Sequence, residues 1–344
     1  MANNLPKHRR VYAALRHEIL LGKYDAREKF PSEAMLMRRF NVSRITVRQA
    51  MTDLKNEGFL EARSGSGTYL SALARHATGM IGLVIPDYSS NEFFRRLGDE
   101  LVRAGKSAGY TMLLGELPGR TPAARAHEAI SLAREYARRK VVGVIIEPVE
   151  LIPNCHDLTF EIIAAFDELH IPLLLVDRDI TPHGRSKYDL VGISNLAAGF
   201  AIGRALIEGG AKRIAFLMPP NSASANLQRM LGVAGAVIES GAGWTNQNIL
   251  CVNPDNRTAV KRALRSKYAP DAIVCHNDQT AAKLPCTVKV AGFDGLAVAG
   301  RRKFPSMRQP IDQLADTAIA TLLERIRNPR LPPRQVLLAA ERIG

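Results

Sequence analysis

The chain has 344 residues, 46% of them hydrophobic and 23% charged, with a formal net charge of +14. That is enough apolar material for two or three compact units, and it excludes a disordered or fibrous chain. Residues 1–75 hold 14 Lys/Arg against 7 Asp/Glu, so about a fifth of the chain carries half of the positive surplus, which points to a polyanionic partner at that end. No apolar run approaches the roughly 20 residues of a membrane span, and the first ten residues form no apolar leader, so a cytoplasmic protein without a membrane partner is expected. Cys155, Cys251, Cys275 and Cys286 lack CxxC or Cys/His spacing, and no metal site is expected from them. The chain also lacks a Walker-type phosphate loop, an HExxH pair and a nucleophile elbow, so neither an enzyme nor a bound cofactor is expected.

Val11, Ala14, Leu15 and Ile19 fall at helical spacing before Gly22, predicting a first helix over 7–22. Pro31-Ser32-Glu33 opens a short second helix with Ser32 as N-cap and Glu33 near its positive end. Asn41-Val42 makes a turn. Ser43 then caps a third helix running to Glu57 and stopped by Gly58. Val47, Ala50, Met51 and Leu54 form the inward face of that helix, whereas Arg44, Thr46, Arg48, Gln49 and Lys55 face outward, the residue types that read base edges and phosphates when a helix enters the major groove.

Phe59–Arg63 and Thr68–Leu70 read as two strands around Ser64-Gly65-Ser66-Gly67, a hairpin wing whose small tip residues allow close backbone approach to DNA. In Pro31-Ser32-Glu33, Val42-Ser43-Arg44-Ile45-Thr46-Val47-Arg48-Gln49-Ala50, Leu54, Glu57-Gly58 and Gly65-Ser66-Gly67-Thr68, the segment from about Leu5 to Leu70 resembles the GntR-family winged helix. The resemblance implies operator contact by Arg44, Thr46, Arg48, Gly65 and Gly67, with Ser43, Gln49 and Ser66 beside them. Ala34 and Ile45 stand where many members carry Arg and Thr.

Residues 71–79 show no period, and the pattern changes sharply after them. The expected division is a DNA-binding domain at 1–71, a linker at 72–79 and an effector-binding domain at 80–344. From Met80 onward, apolar strands at 81–86, 110–114, 141–147 and 172–176 alternate with helices at 92–108, 122–139 and 158–169. A second series follows: strands at 190–193, 213–218, 248–252, 272–275 and 288–293, with helices at 196–209, 226–240 and 257–267. Such alternation predicts an α/β domain of two parallel-sheet subdomains with a ligand cleft at the strand ends.

Ile81–Asp87, Asn91-Glu92-Phe93-Phe94, Val176-Asp177-Arg178, Gly209–Ala215, Cys275-His276-Asn277-Asp278, Val290–Asp294 and Arg308-Gln309-Pro310 resemble the effector domain of the lactose repressor family, which has the type I periplasmic-binding-protein-like fold. A GntR head on this core is similar to the arabinose-responsive repressors. The resemblance implies a pentose or related sugar effector, with Phe94 as an apolar platform, Asp177 as an acceptor of the first subdomain, Arg229 as a guanidinium donor, and Asn277 and Asp294 completing the second. Hydroxyl-rich ligands call for such donors and acceptors. Between Ala282 and Val288 only five residues remain, roughly a dozen fewer than the usual βαβ crossover, which predicts an abrupt connection and a less covered sheet face. A homodimer on double-stranded operator DNA, released by its effector, is the leading expectation. The same architecture sensing a purine or other non-sugar ligand, or a cytoplasmic binding protein without regulated repression, are the alternatives.

Overall fold

The computed structural model describes residues 6–20, 23–24, 28–71, 79–119, 121–150, 154–181, 185–265, 269–285, 288–296 and 303–344. In the head, α1 (Lys7–Leu20), α2 (Glu33–Phe40) and α3 (Arg44–Asn56) precede the hairpin β1 (Leu60–Arg63) and β2 (Gly67–Leu70). Both expected caps are made: Ser32 Oγ accepts from the Met35 N–H, and Ser43 Oγ from the Thr46 N–H. Asn41 takes the left-handed conformation that ends α2, φ 51°, leaving room for the tight turn into α3. The expected inward face of α3 packs on Val11, Leu15, Ile19 and Leu36. Glu57 staples the unit by accepting from Tyr12 Oη and, at 3.1 Å, from Arg16 Nε. Gly22, the expected stop of the first helix, lies outside the described residues, as does most of the expected linker.

The rest of the chain forms two sheets. The first has the order β13-β7-β6-β5-β3-β4, from β3 (Met80–Val84), β4 (Thr111–Gly115), β5 (Gly143–Ile146), β6 (Leu173–Asp177), β7 (Asp189–Ile193) and β13 (Gln335–Leu338), all parallel. Helices α4 (Glu92–Ser107) and α11 (Ile311–Arg327) cover one face; α5 (Pro122–Arg138) and α6 (Cys155–Glu168) cover the other. The second sheet has the order β14-β12-β11-β10-β8-β9, from β8 (Ile214–Met218), β9 (Ile249–Cys251), β10 (Ala272–Cys275), β11 (Lys289–Asp294), β12 (Ser306–Arg308) and the antiparallel β14 (Glu341–Ile343). It lies between α7 (Asn195–Glu208) with α8 (Ser224–Glu239) and the shorter α9 (Arg257–Leu264) with α10 (Asp278–Lys283).

One expectation is corrected. The strand at 190–193, read as the start of the second series, is β7 and pairs with β6 in the first sheet. A strand buried along its whole length reads the same in either sheet, because the pairing partner is not encoded locally. The shortened crossover is accommodated by α10, only six residues long, between the adjacent parallel strands β10 and β11; Cys286 and Thr287 lie outside the described residues.

The elements beyond Phe293 tie the lobes together. The chain passes from the first lobe to the second after β7, returns at β12–α11, and leaves β13 to finish as β14. At the base of the first sheet, Asp189 is buried and accepts from Arg325 Nε at 2.9 Å, Arg325 Nη2 at 3.0 Å and the Arg334 N–H at 2.8 Å. Burial acts to raise the Asp189 carboxyl, but these donors hold it below its ordinary value of 3.8. A carboxylate depressed in the folded state contributes stability above its unfolded pKa and loses it as pH falls through the folded one. Asp189→Ala is therefore expected to destabilise the protein by about 1.5–3 kcal/mol at neutral pH, because it removes the charged acceptor from Arg325, whose guanidinium keeps only the carbonyls of Pro329, Leu331 and Pro332. Chemical denaturation checks this, and the gap to the unmodified chain should narrow only below about pH 4.

Candidate functional site

The head exposes several cationic side chains on and beside α3. Arg44, Arg48 and Gln49 are exposed on α3 and Thr46 is half-buried beside its cap, Ser43, so the expected outward face is formed. The Glu33 carboxylate lies 3.7 Å from Arg44 Nε and 3.6 Å from Arg48 Nε. Exposed pairs of this kind contribute little and are readily exchanged for another anion. Ile45 is 78% exposed on the same turn, an apolar group available to a thymine methyl. At the wing, Gly65 and Gly67 have φ of 69° and 128°, backbone that side chains resist. Ser66 Oγ is 2.8 Å from Tyr69 Oη, whose ring lies under the Arg63 guanidinium. A groove of about 790 Å³ between α2, α3 and β2 is lined by Lys23, Lys29, Arg48 and Lys55 as well as Glu28 and Glu33. Lys23 and Lys29 were missed from sequence because they precede α2 outside any periodic pattern.

Some distance along the chain, strand ends of both lobes meet. Asp177 ends β6 and Asp294 ends β11, each with positive φ, 74° and 99°, a strained conformation for a residue with a side chain. Phe94, Asp177, Arg229, Asn277 and Asp294 all line one chamber, together with Arg178, His276, Gln309 and Glu150. Arg178, not singled out as a site residue from sequence, is almost fully buried. It donates to Asp177 at 2.6 Å, to Glu147 and to the Pro148 carbonyl, and stacks 5.6 Å over the Phe94 ring. Burial pushes the Glu147 carboxyl well above its ordinary value even against Arg178.

Arg229 is equally constrained. Its Nε donates to Asn195 Oδ1 at 2.8 Å and its Nη1 to the His276 carbonyl at 2.7 Å, while Asp294 lies 4.0 Å away and the Phe293 ring lies beneath. The close approach of α7 to α8 makes this possible: a Cβ on Gly199 would stand 2.1 Å from the Arg229 carbonyl oxygen. Asp294 accepts from Gln309 Nε2 at 2.9 Å, and burial pushes it up to about 6 against the opposing pull of Arg229. Burial brings His276 down to about 3, so its ring is neutral. Asn277 spends its Oδ1 capping α10, accepting from Thr280 N–H at 2.9 Å, which leaves its amide NH₂ for the chamber.

The chamber measures about 40 Å³ and adjoins an outer cleft of about 590 Å³. One water needs roughly 30 Å³ and ligand sites run to about 300–1,000 Å³. Asn91, Glu150, His276 and Asn277 line both spaces, so the two hollows share a wall.

Residues 7–70 match the model of the bacterial regulatory proteins of the gntR family, and residues 204–343 match the periplasmic binding protein-like domain. The chain is a DNA-binding transcription regulator. The regulator is 24% identical over 348 residues to the arabinose metabolism transcriptional repressor of Geobacillus stearothermophilus, covering 94% of this chain and 92% of that one. It is 25% identical over 293 residues to the transcriptional repressor PurR of Shigella sonnei, covering 77% and 80%. Among solved structures its fold is shared with the transcriptional regulator CelR in complex with cellobiose, at a TM-score of 0.65, 20% identity and coverage of 88% and 90%. A LacI-family regulator from Enterococcus faecium with bound ribose superposes at 0.59, 18% identity and coverage of 77% and 97%. The likeness to the arabinose metabolism repressor spans 94% of the chain, whereas those to PurR and the ribose-bound regulator span 77% each. No helix among the regulator's described residues is long and apolar enough to cross a membrane.

If Arg44 reads a base edge, Arg44→Ala is expected to cost about 1–3 kcal/mol at the specific operator. Titrations on operator and random duplex at one salt concentration check it: equal losses on both would make Arg44 a phosphate contact.

Proposed function

We propose that the chain is a sugar-responsive repressor whose cleft controls how well its head grips operator DNA in the cytoplasm. The observation that carries this is the convergence of five strand-end and helix residues, Phe94, Asp177, Arg229, Asn277 and Asp294, on one polar chamber between two lobes. Apart from Phe93, Phe94 and Ala225 the chamber is lined by polar and charged side chains, and Phe94 carries the Arg178 guanidinium over one face, so hydrogen-bonding groups dominate it. That chemistry suits a hydroxyl-rich ligand better than a purine. A pentose is the leading effector, in keeping with the relatives' arabinose-linked names.

On this reading the regulator works as a homodimer with two recognition helices roughly one DNA turn, about 34 Å, apart. Ser43, Arg44, Thr46, Arg48 and Gln49 face the major groove, and Gly65, Ser66 and Gly67 approach the backbone. The effector favours the lobe arrangement that grips DNA less well, and at one hundred times its dissociation constant it biases that arrangement by about 2.7 kcal/mol. We read the cleft as a sensor rather than a catalytic centre, since the matched proteins are transcription regulators.

Operator retention measured with and without arabinose, ribose and xylose tests the reading. A chain that holds its operator equally under every ligand overturns it. Arg229→Lys should weaken the response more than tenfold, because a single ammonium cannot reach Asn195 and the His276 carbonyl in the guanidinium's geometry. Operator affinity without sugar should stay unchanged, and band-shift titration reads both quantities.

A further inference from the structure

Glu150, which sequence reasoning passed over, stands on the wall shared by the inner chamber and the outer cleft. The buried Val149 anchors the segment before it. Every other carboxylate of the chamber is already engaged: Asp177 with Arg178, and Asp294 with Gln309 and Arg229. Arg178 is further committed to Glu147 behind the wall. Burial raises the Glu150 carboxyl against the pull of Arg178 and Arg229, and no hydrogen bond or ion pair reaches its carboxylate among the described residues. Four carboxyl groups, those of Glu147, Glu150, Asp177 and Asp294, therefore stand around two guanidiniums.

A second observation points the same way. Gln309 is 97% buried and lines the chamber, and its Oε1 has no hydrogen-bond partner while its Nε2 serves Asp294. The acceptors left open, Gln309 Oε1 and the Glu150 carboxylate, ask for a ligand rich in donors. A carboxylate enclosed by lobe closure without a partner is disfavoured unless the ligand brings a compensating charge or it takes up a proton. An ammonium supplies three donors and the missing charge in one group.

Building on the sugar-effector reading above, we propose that the effector is an amino sugar, its ring seated in the outer cleft with hydroxyls directed toward the inner chamber, and its ammonium held by Glu150, which lines both spaces. The matched pairs glucose and glucosamine, and galactose and galactosamine, test this with the full-length chain by titration calorimetry at pH 7, with N-acetylglucosamine as the uncharged amide. Within at least one pair the amine is expected to bind tenfold tighter or more, and the N-acetyl sugar should fall with the neutral one. In Glu150→Gln, which keeps the shape and removes the charge, that gap should shrink to about twofold or less; the comparison in the unmodified chain needs no variant. Neutral sugars binding as well as their amines, or a gap that persists in Glu150→Gln, would overturn the assignment of the ammonium alone. Binding of arabinose but of none of these hexoses would overturn the amino-sugar assignment and leave the pentose reading standing; silence of arabinose as well would overturn the sugar-effector reading beneath it.

Discussion

Two buried guanidiniums allow the cleft to exist. Bringing Glu147, Asp177 and Asp294 together inside a protein would be prohibitive without counter-charge, since desolvation penalises each carboxylate separately. Arg178 and Arg229, each nearly buried, neutralise the two sides and pin them: Arg178 gathers the ends of β5 and β6 in the first lobe, and Arg229 gathers α7, α8 and the end of β10 in the second. Their planar, multiply donating heads do this in a way an ammonium could not. The polar groups left over face the cavity.

Local signals made the head readable. Its caps, its turn and the inward face of α3 are set by residues within one or two helical turns of each other, so Ser32, Ser43 and the Val47–Leu54 stripe could be placed from spacing alone. The alternation of strands and helices and the strand-end positions of Asp177 and Asp294 were legible for the same reason. What remained hidden was non-local. The membership of β7 in the first sheet depends on its neighbours Leu174–Asp177, and the role of Arg178 depends on Glu147, 31 residues away.

The helix at Ile311–Arg327 could have been found. Leu314, Ala315, Ala318, Ile319, Leu322 and Leu323 repeat at helical spacing and are all buried; its signal was present, but the βαβ alternation that organised the reading stops at Phe293. Asn277 shows the opposite lesson. A capping role and a place in the cleft for an Asn at a strand end are usually weighed as alternatives, yet Asn277 caps α10 with its oxygen and also lines the chamber.

The last ten residues before the C-terminus deserve a consequence of their own. Gln335–Leu338 completes the edge of one sheet and Glu341–Ile343 the edge of the other, with two residues between them. A nick or deletion in this tail would strip an outer strand from both lobes at once, exposing two rows of unpaired amides to aggregation. Neither lobe can therefore be inherited, swapped or excised as a contiguous stretch of gene: the sensor is indivisible along its sequence although it looks bipartite in space.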